Sequence, residues 1–147
     1  MIDAIVFRPM EPADYRAFYN LMRETSGIVL RDADTPEAAA RYLARNPGLS
    51  FVAVAGRRIV GGILAGHDGR RGYLHHLLVH RELRGQGIAR ILVDRAVTAL
   101  GAAGIDKSHI DVLRDNQRGQ GFWNALGWQR RDDIFRFSFI NGSSANA

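Results

Sequence analysis

The stretch Arg84–Arg90, RGQGIAR, limits what this chain can fold into more than any other, because it lies between an apolar run, YLHHLLV, and an amphipathic run, ILVDRAVTAL. Two glycines two apart, behind an arginine, stand where a strand hands over to a helix. Without a Cβ the backbone can turn tightly there and bring its N–H groups against a ligand. The first N–H groups of the helix are unpaired and its dipole is positive at that end, so an anion fits. A P-loop is excluded, because no Gly-Lys-Ser/Thr follows. The dinucleotide pattern G-x-G-x-x-G/A fails at Arg90, and the turn follows a hairpin where a Rossmann domain would open with a βαβ unit. A glycine turn without a ligand explains one glycine easily; it explains less well two, with an arginine before them and a small residue at 89.

The remainder of the chain reads as short alternating elements. Ile2 to Phe7 is a first strand closed by Pro9, and EPADYRAFYNLMRET has helical spacing at Tyr15, Phe18, Tyr19 and Met22. Thr35-Pro36 caps a second helix that stops at Asn46-Pro47-Gly48. Between them SGIVLRDAD is irregular, a candidate lid. SFVAVA and RIVGGILAGH flank a hairpin turn at Gly56-Arg57, and HDGRRG turns into YLHHLLV. After the glycine turn, Ile88, Ile91, Leu92, Ala96, Val97 and Leu100 form a buried helix face. HIDVL is a strand, NQRGQGFWNALG a shorter helix stopped by Gly127, and IFRFSFI alternates as a last strand. The expected order is β-α-α-β-β-β-α-β-α-β-β. Residues 1–141 are expected to form one domain, with 142–147 a disordered tail.

Composition narrows the class. At 147 residues with 46% hydrophobic and 24% charged residues, the chain can bury a sizeable core. It has no cysteine, which removes disulfides, thiolate metal sites and a cysteine nucleophile. No apolar run reaches the ~18 residues of a membrane span, and the N-terminus lacks a signal pattern, so the expected address is the cytoplasm. A net charge of +5 invites nucleic acid. The arginines are spread among acids from Arg8 to Arg136, however, and form no dense basic face, so neither nucleic acid nor membrane is expected as a partner.

LLVHRELRGQGIARILV resembles motif A of the GNAT N-acetyltransferase superfamily, whose pattern Arg/Gln-x-x-Gly-x-Gly/Ala is met by Arg84, Gly87 and Ala89. Downstream, VLRDNQRGQGFWNALGWQ resembles that family's motif B, with Asn116 after the strand and an aromatic pair ahead of Leu-Gly-aromatic. The two motifs fall at the family's usual separation, and the element order matches its fold. The resemblance implies an α/β (α+β) acyl-CoA N-acyltransferase fold: a mixed, mostly antiparallel twisted sheet of six to seven strands, flanked by about four helices, its central strands splayed around the cofactor. It also implies acetyl-CoA as cosubstrate and no metal. The pyrophosphate would lie on the N–H groups of Arg84, Gly85, Gln86, Gly87, Ile88, Ala89 and Arg90, with charge-assisted bonds from the two arginines. The pantetheine arm would pair with the backbone of Leu77, Leu78 and Val79 like an added strand, and Asn116 would bond it.

Acetyl transfer to an amine needs a base for the ammonium, stabilisation of the oxyanion and departure of the thiolate. A backbone N–H on the HLLV strand could serve the oxyanion, worth about 3 kcal/mol for one well-placed donor. His75 and His76 lie next to the cofactor strand, and histidine as a residue type suits proton transfer near neutrality; neighbours on a strand face opposite ways, so one of them is expected to face the cleft. Many family members have tyrosine as the thiolate's acid where this chain has Trp123, so Trp123 becomes cleft wall. Tyr73 is a substitute acid on the His75 face, against a plain reading as a core aromatic. The acceptor is expected to be a small-molecule amine; the alternatives are a protein N-terminus or lysine of the ribosomal-protein type, and a non-catalytic acyl-CoA-binding module. A homodimer through edge strands is compatible with the sequence.

Overall fold

The computed structural model describes residues 4–147, and each expected element up to the second glycine-stopped helix is present. The first strand, β1, is Ile5–Pro9; the Ile2–Asp3 part of the expectation lies outside the described residues. Pro12 has no N–H to lose at a helix start, and it opens a 3-10 turn, Pro12–Asp14, that leads into α1 (Tyr15–Glu24). Asp14 fixes this entry: it accepts from both guanidinium nitrogens of Arg8 at 2.7 and 2.9 Å and from the Glu11 N–H at 2.7 Å. The second helix, α2 (Pro36–Arg45), is capped as read, with Thr35 Oγ1 accepting from the Ala38 N–H at 3.2 Å.

Strands β2 (Phe51–Ala55), β3 (Arg58–His67) and β4 (Gly72–Val79) follow, then α3 (Ile88–Ala102) and the short β5 (Ser108–Ile110). The sheet order is β1-β2-β3-β4-β5; all pairs are antiparallel except β4 with β5. Adjacent ladder pairs face opposite sides of a sheet, and two neighbouring pairs show the layering. The Gly62/Leu78 pair faces α1 and α2, where Leu78 and Leu64 join Phe18, Met22, Leu43 and Val52 in one buried cluster. The Gly61/Val79 pair faces α3, next to Leu92. Gly62 is required for the first packing, because a Cβ there would stand 2.7 Å from the Phe18 ring. On α3, Ile88, Leu92, Val93, Ala96 and Leu100 are buried. Ile91, expected on that face, is exposed because the buried stripe runs through Val93 instead.

The chain divides into two compact units, Met1–Asp111 and Val112–Ala147. In the second, Asn116 Oδ1 accepts from the Gly119 N–H at 2.9 Å and caps α4 (Gln117–Ala125), and Gly127, at φ 84°, follows the helix end. The expected final strand is corrected: among the described residues, 134–140 enter no ladder, and the sheet has five strands where six to seven were expected. Alternation puts Phe135, Phe137 and Phe139 on one side of an extended chain, yet a strand also needs a partner, and these rings are 88, 94 and 87% exposed. The residues just before satisfy their charges locally, through Arg130–Asp132 and Arg131–Asp133 pairs of 2.9 Å. Residues 141–147 carry no helix or strand.

Candidate functional site

The turn between β4 and α3 is built as an open row of donors. Gly85 and Gly87 have φ of 80° and 82°, the left-handed region that favours glycine, and Gly87 is the N-cap of α3 with no side-chain cap. The Arg84 N–H reaches Arg81 O at 3.5 Å, and the Ile91 N–H closes the first helical bond to Gly87 O at 3.2 Å. Among the described residues, the amides of residues 85–90 between them have no acceptor. A Cβ added at Gly85 or Gly87 would meet nothing within 4 Å, so the space in front of these donors is clear. Buried Ile88 anchors the helix start and Ala89 is half-buried, while Gln86 and Arg90 are exposed beside the turn. Arg84 donates from Nε to Val79 O at 3.1 Å, which holds its guanidinium over the end of β4.

The same strand is irregular just before the turn. Leu64 pairs with His75 and Gly62 with Leu78, so one residue of β3 stands opposite two of β4. This bulge falls at His76, whose φ is 46°, unusual for a residue with a side chain. The extra residue reverses the alternation that the sequence reading assumed. His75 lies edge-on to the Tyr42 ring of α2, with centroids 6.0 Å apart. His76 Nε2 lies 2.7 Å from Oδ1 of Asp34, in the 3-10 turn Asp32–Asp34 that precedes α2. Both histidines therefore lie on the α2 side, where plain alternation would put them on opposite faces. Beyond Leu74, β4 also leaves β5, which pairs only with Gly72–Leu74. The backbone of Leu77, Leu78 and Val79 thus has one edge that β5 does not occupy, while buried Leu78 and Val79 pack into the two faces of the sheet.

Asp34 was not singled out from the sequence, yet it is the best-held polar residue near the histidines. It is 9% exposed, its Oδ2 accepts from the Arg31 N–H at 2.8 Å, and its carbonyl accepts from the Tyr15 hydroxyl at 2.7 Å. Burial pushes its carboxyl up, but the His76 hydrogen bond, the Arg31 N–H and the charges of His76 and His75 outweigh this and hold it below the ordinary 3.8. Burial raises Tyr15 and Tyr42 well above the usual phenol range, so both stay protonated. The Tyr42 oxygen is buried without a hydrogen-bond partner, beside Gly66 and Asn46. The segment read as a candidate lid is thus pinned at its Asp34 end.

Tyr73 lies against the His109 ring of β5, with centroids 5.8 Å apart, on the doubly paired part of β4. A cleft of about 340 Å³ runs beside the turn, lined by Leu21, Glu24, Thr25 and Ser26 at and after the end of α1 and by His80, Arg81, Glu82 and Arg84. Neither His75 nor His76 lines it. In the second unit, buried Trp123 packs on Trp128 at 4.6 Å and on Phe122 at 5.1 Å. Asn116 spends its carbonyl oxygen on the helix cap, leaving its amide NH₂ for other partners. Among the described residues, no group of three or more His, Asp or Glu is placed to hold a metal ion, and no helix is long and apolar enough to cross a membrane.

Among the described residues, the mixed sheet opens at one parallel pair, and a helix start without a side-chain cap follows the opened strand. Residues 15–128 match the Acetyltransferase (GNAT) family, and the chain belongs to it. It is 37% identical over 107 residues to the acetyltransferase ECA0875 of Pectobacterium atrosepticum, covering 72% of this chain and 76% of that protein. The fold is similar to that of the PaiA N-acetyltransferase from Thermoplasma acidophilum in complex with coenzyme A, with a TM-score of 0.78, 20% identity and coverage of 89% of this chain and 93% of that one. It is also similar to AAC(6')-Iy in complex with the bisubstrate analog CoA-S-monomethyl-acetylneamine, with a TM-score of 0.75, 18% identity and coverage of 95% and 100%. At these identities the two structures speak for the fold.

Proposed function

We propose that this acetyltransferase moves an acetyl group from acetyl-CoA to a primary amine by direct attack, with both substrates bound together. The observation that carries this reading is the row of unpartnered N–H groups over residues 85–90, with clear space in front of the two left-handed glycines. Preorganised amides at a helix start suit a diphosphate, and Arg84 and Arg90 add positive charge beside them. The edge of Leu77–Val79 that β5 does not occupy, where Val79 O accepts from Arg84, suits an extended arm that carries its own amides.

His76 and His75 serve as the candidate bases for the amine, His76 first because a carboxylate orients it. Tyr73 is the weaker candidate for a general acid. A thiolate of ordinary pKa leaves without strong acid help, so Trp123 in the usual tyrosine position does not block the reaction. A small-molecule amine is favoured as acceptor; the cleft beside the turn does not itself select a cation, because Arg81 and Arg84 stand on its wall with Glu24 and Glu82 and both histidines lie outside it. Thiol release from acetyl-CoA, measured against a panel of small amines and of peptides with free N-termini or lysines, tests the reading. Turnover with small amines is expected. Turnover with peptides alone would move the acceptor class, and tight binding without turnover would make the chain an acyl-CoA-binding module.

A further inference from the structure

Resting on this acyl-transfer reading, we infer that Asp34 is the positioning residue for His76: its carboxylate fixes the imidazole with hydrogen on Nε2 and so leaves the Nδ1 lone pair to take the amine's proton. The two residues are 42 apart in sequence and meet at 2.7 Å. A neutral imidazole that donates to a carboxylate from one nitrogen must accept at the other, which settles the tautomer.

Three features separate this pair from an incidental ion pair. Asp34 is itself held, by the Arg31 N–H on Oδ2 and the Tyr15 hydroxyl on its carbonyl, so it acts as a fixed reference. His76 reaches it only through a bulge with left-handed backbone at a non-glycine residue, a conformation costing about 1–3 kcal/mol that persists where the surroundings impose it. The His76 side chain keeps 22% of its surface exposed against 11% for Asp34, so the carboxylate is covered while the ring stays within reach. The groups around the pair are His75 on β4, Tyr15 from α1, Tyr42 from α2 and Arg31 beside Asp34. Both tyrosines are neutral, so Asp34 is the negative charge in contact with the ring.

The step balances without any further reagent. His76 Nδ1 takes one N–H proton from the attacking amine as the N–C bond forms and the thioester C–S bond breaks. Its imidazolium, held against Asp34, then returns that proton to the sulfur through solvent, giving amide and thiol. The pair thereby supplies the acid that the missing tyrosine would provide.

Asp34→Asn removes the charge while keeping the shape, and three readings of it test the assignment. In ¹⁵N NMR, the wild-type His76 ring is expected as the Nε2–H tautomer, and the variant as a mixture of the two tautomers, because an amide can donate to Nε2 as well as accept from it. The rate should fall about 10- to 100-fold with KM for acetyl-CoA unchanged, and Asp34→Asn should cost nothing further in the His76→Ala background. A purely structural aspartate would leave the tautomer and kcat unchanged in the variant, and that result, or a wild-type ring with hydrogen on Nδ1, overturns the inference. Should Asp34→Asn fail to fold, the wild-type tautomer alone decides. Wild-type protein that shows the predicted tautomer but releases thiol with no amine refutes acetyl transfer, and with it the catalytic use of the pair, while the pairing itself stands.

Discussion

Over Gly72–Leu74, β4 is paired on both sides, to Ala65–His67 of β3 and to Ser108–Ile110 of β5; over His75–Val79 it is paired to β3 alone and carries an extra residue. The first half is closed, with Gly72 and Leu74 buried against the sheet's neighbours. The second half bends, turns two consecutive histidines to one face, leaves an edge uncovered and runs through a 3-10 turn, Arg81–Leu83, into the donor row of the glycine turn. Saturated pairing yields stability, and each departure from it in the second half frees a group that chemistry can use. One strand thus divides into a scaffold and a site.

Substitutions can break or sharpen this contrast. The largest effect is expected within the open half. His76→Ala should lower kcat/KM for thiol release about 100- to 10,000-fold, the range of general-base loss, and His75→Ala less than about tenfold. Equal losses would mean that the bulge presents both rings alike and that the carboxylate selects neither. Next comes the closed half. A Cβ at Gly72 would press on Ser108 Oγ and stand 3.1 Å from Leu100, so Gly72→Val should cost about 1–3 kcal/mol of stability by denaturant titration. The folded fraction should bind acetyl-CoA as wild type does; weakened binding in proportion to lost stability would erase the division of the strand.

The smallest effect is on acid stability. The Arg8 hydrogen bond holds Asp14 below 3.8, with burial opposing it, and Asp34 is likewise depressed by its hydrogen bonds against a larger burial effect. In the unfolded chain both carboxyls take up protons at the ordinary value. Their contribution is therefore complete above that pH and is lost as pH falls through it to the lower folded values. Thermal melts should be insensitive to these groups above pH 5 and fall below pH 4. In Asp34→Asn the acid loss should be shallower, and an unchanged slope would place Asp34 outside this balance.

The parts of the molecule that the sequence made legible are those written in local patterns. The Thr35-Pro36 cap, the Gly56-Arg57 turn and the strand–glycine–helix passage each depend on neighbouring residues, and each stands where it was read. What escaped depends on partners far along the chain. The parity of β4 is decided by the single β3 residue between Gly62 and Leu64, which no pattern in YLHHLLV encodes. Asp34 gains its role from a histidine 42 residues later. IFRFSFI has the alternation of a strand, but alternation names a face and cannot supply a ladder.

If the bare amides after β4 hold the diphosphate of acetyl-CoA, calorimetric titration should give measurable binding to wild type and a loss of at least about 100-fold, near 2.7 kcal/mol, in a Gly87→Val variant that still gives a folded circular dichroism spectrum. No binding to wild type, or equal affinity in the two proteins, would contradict it.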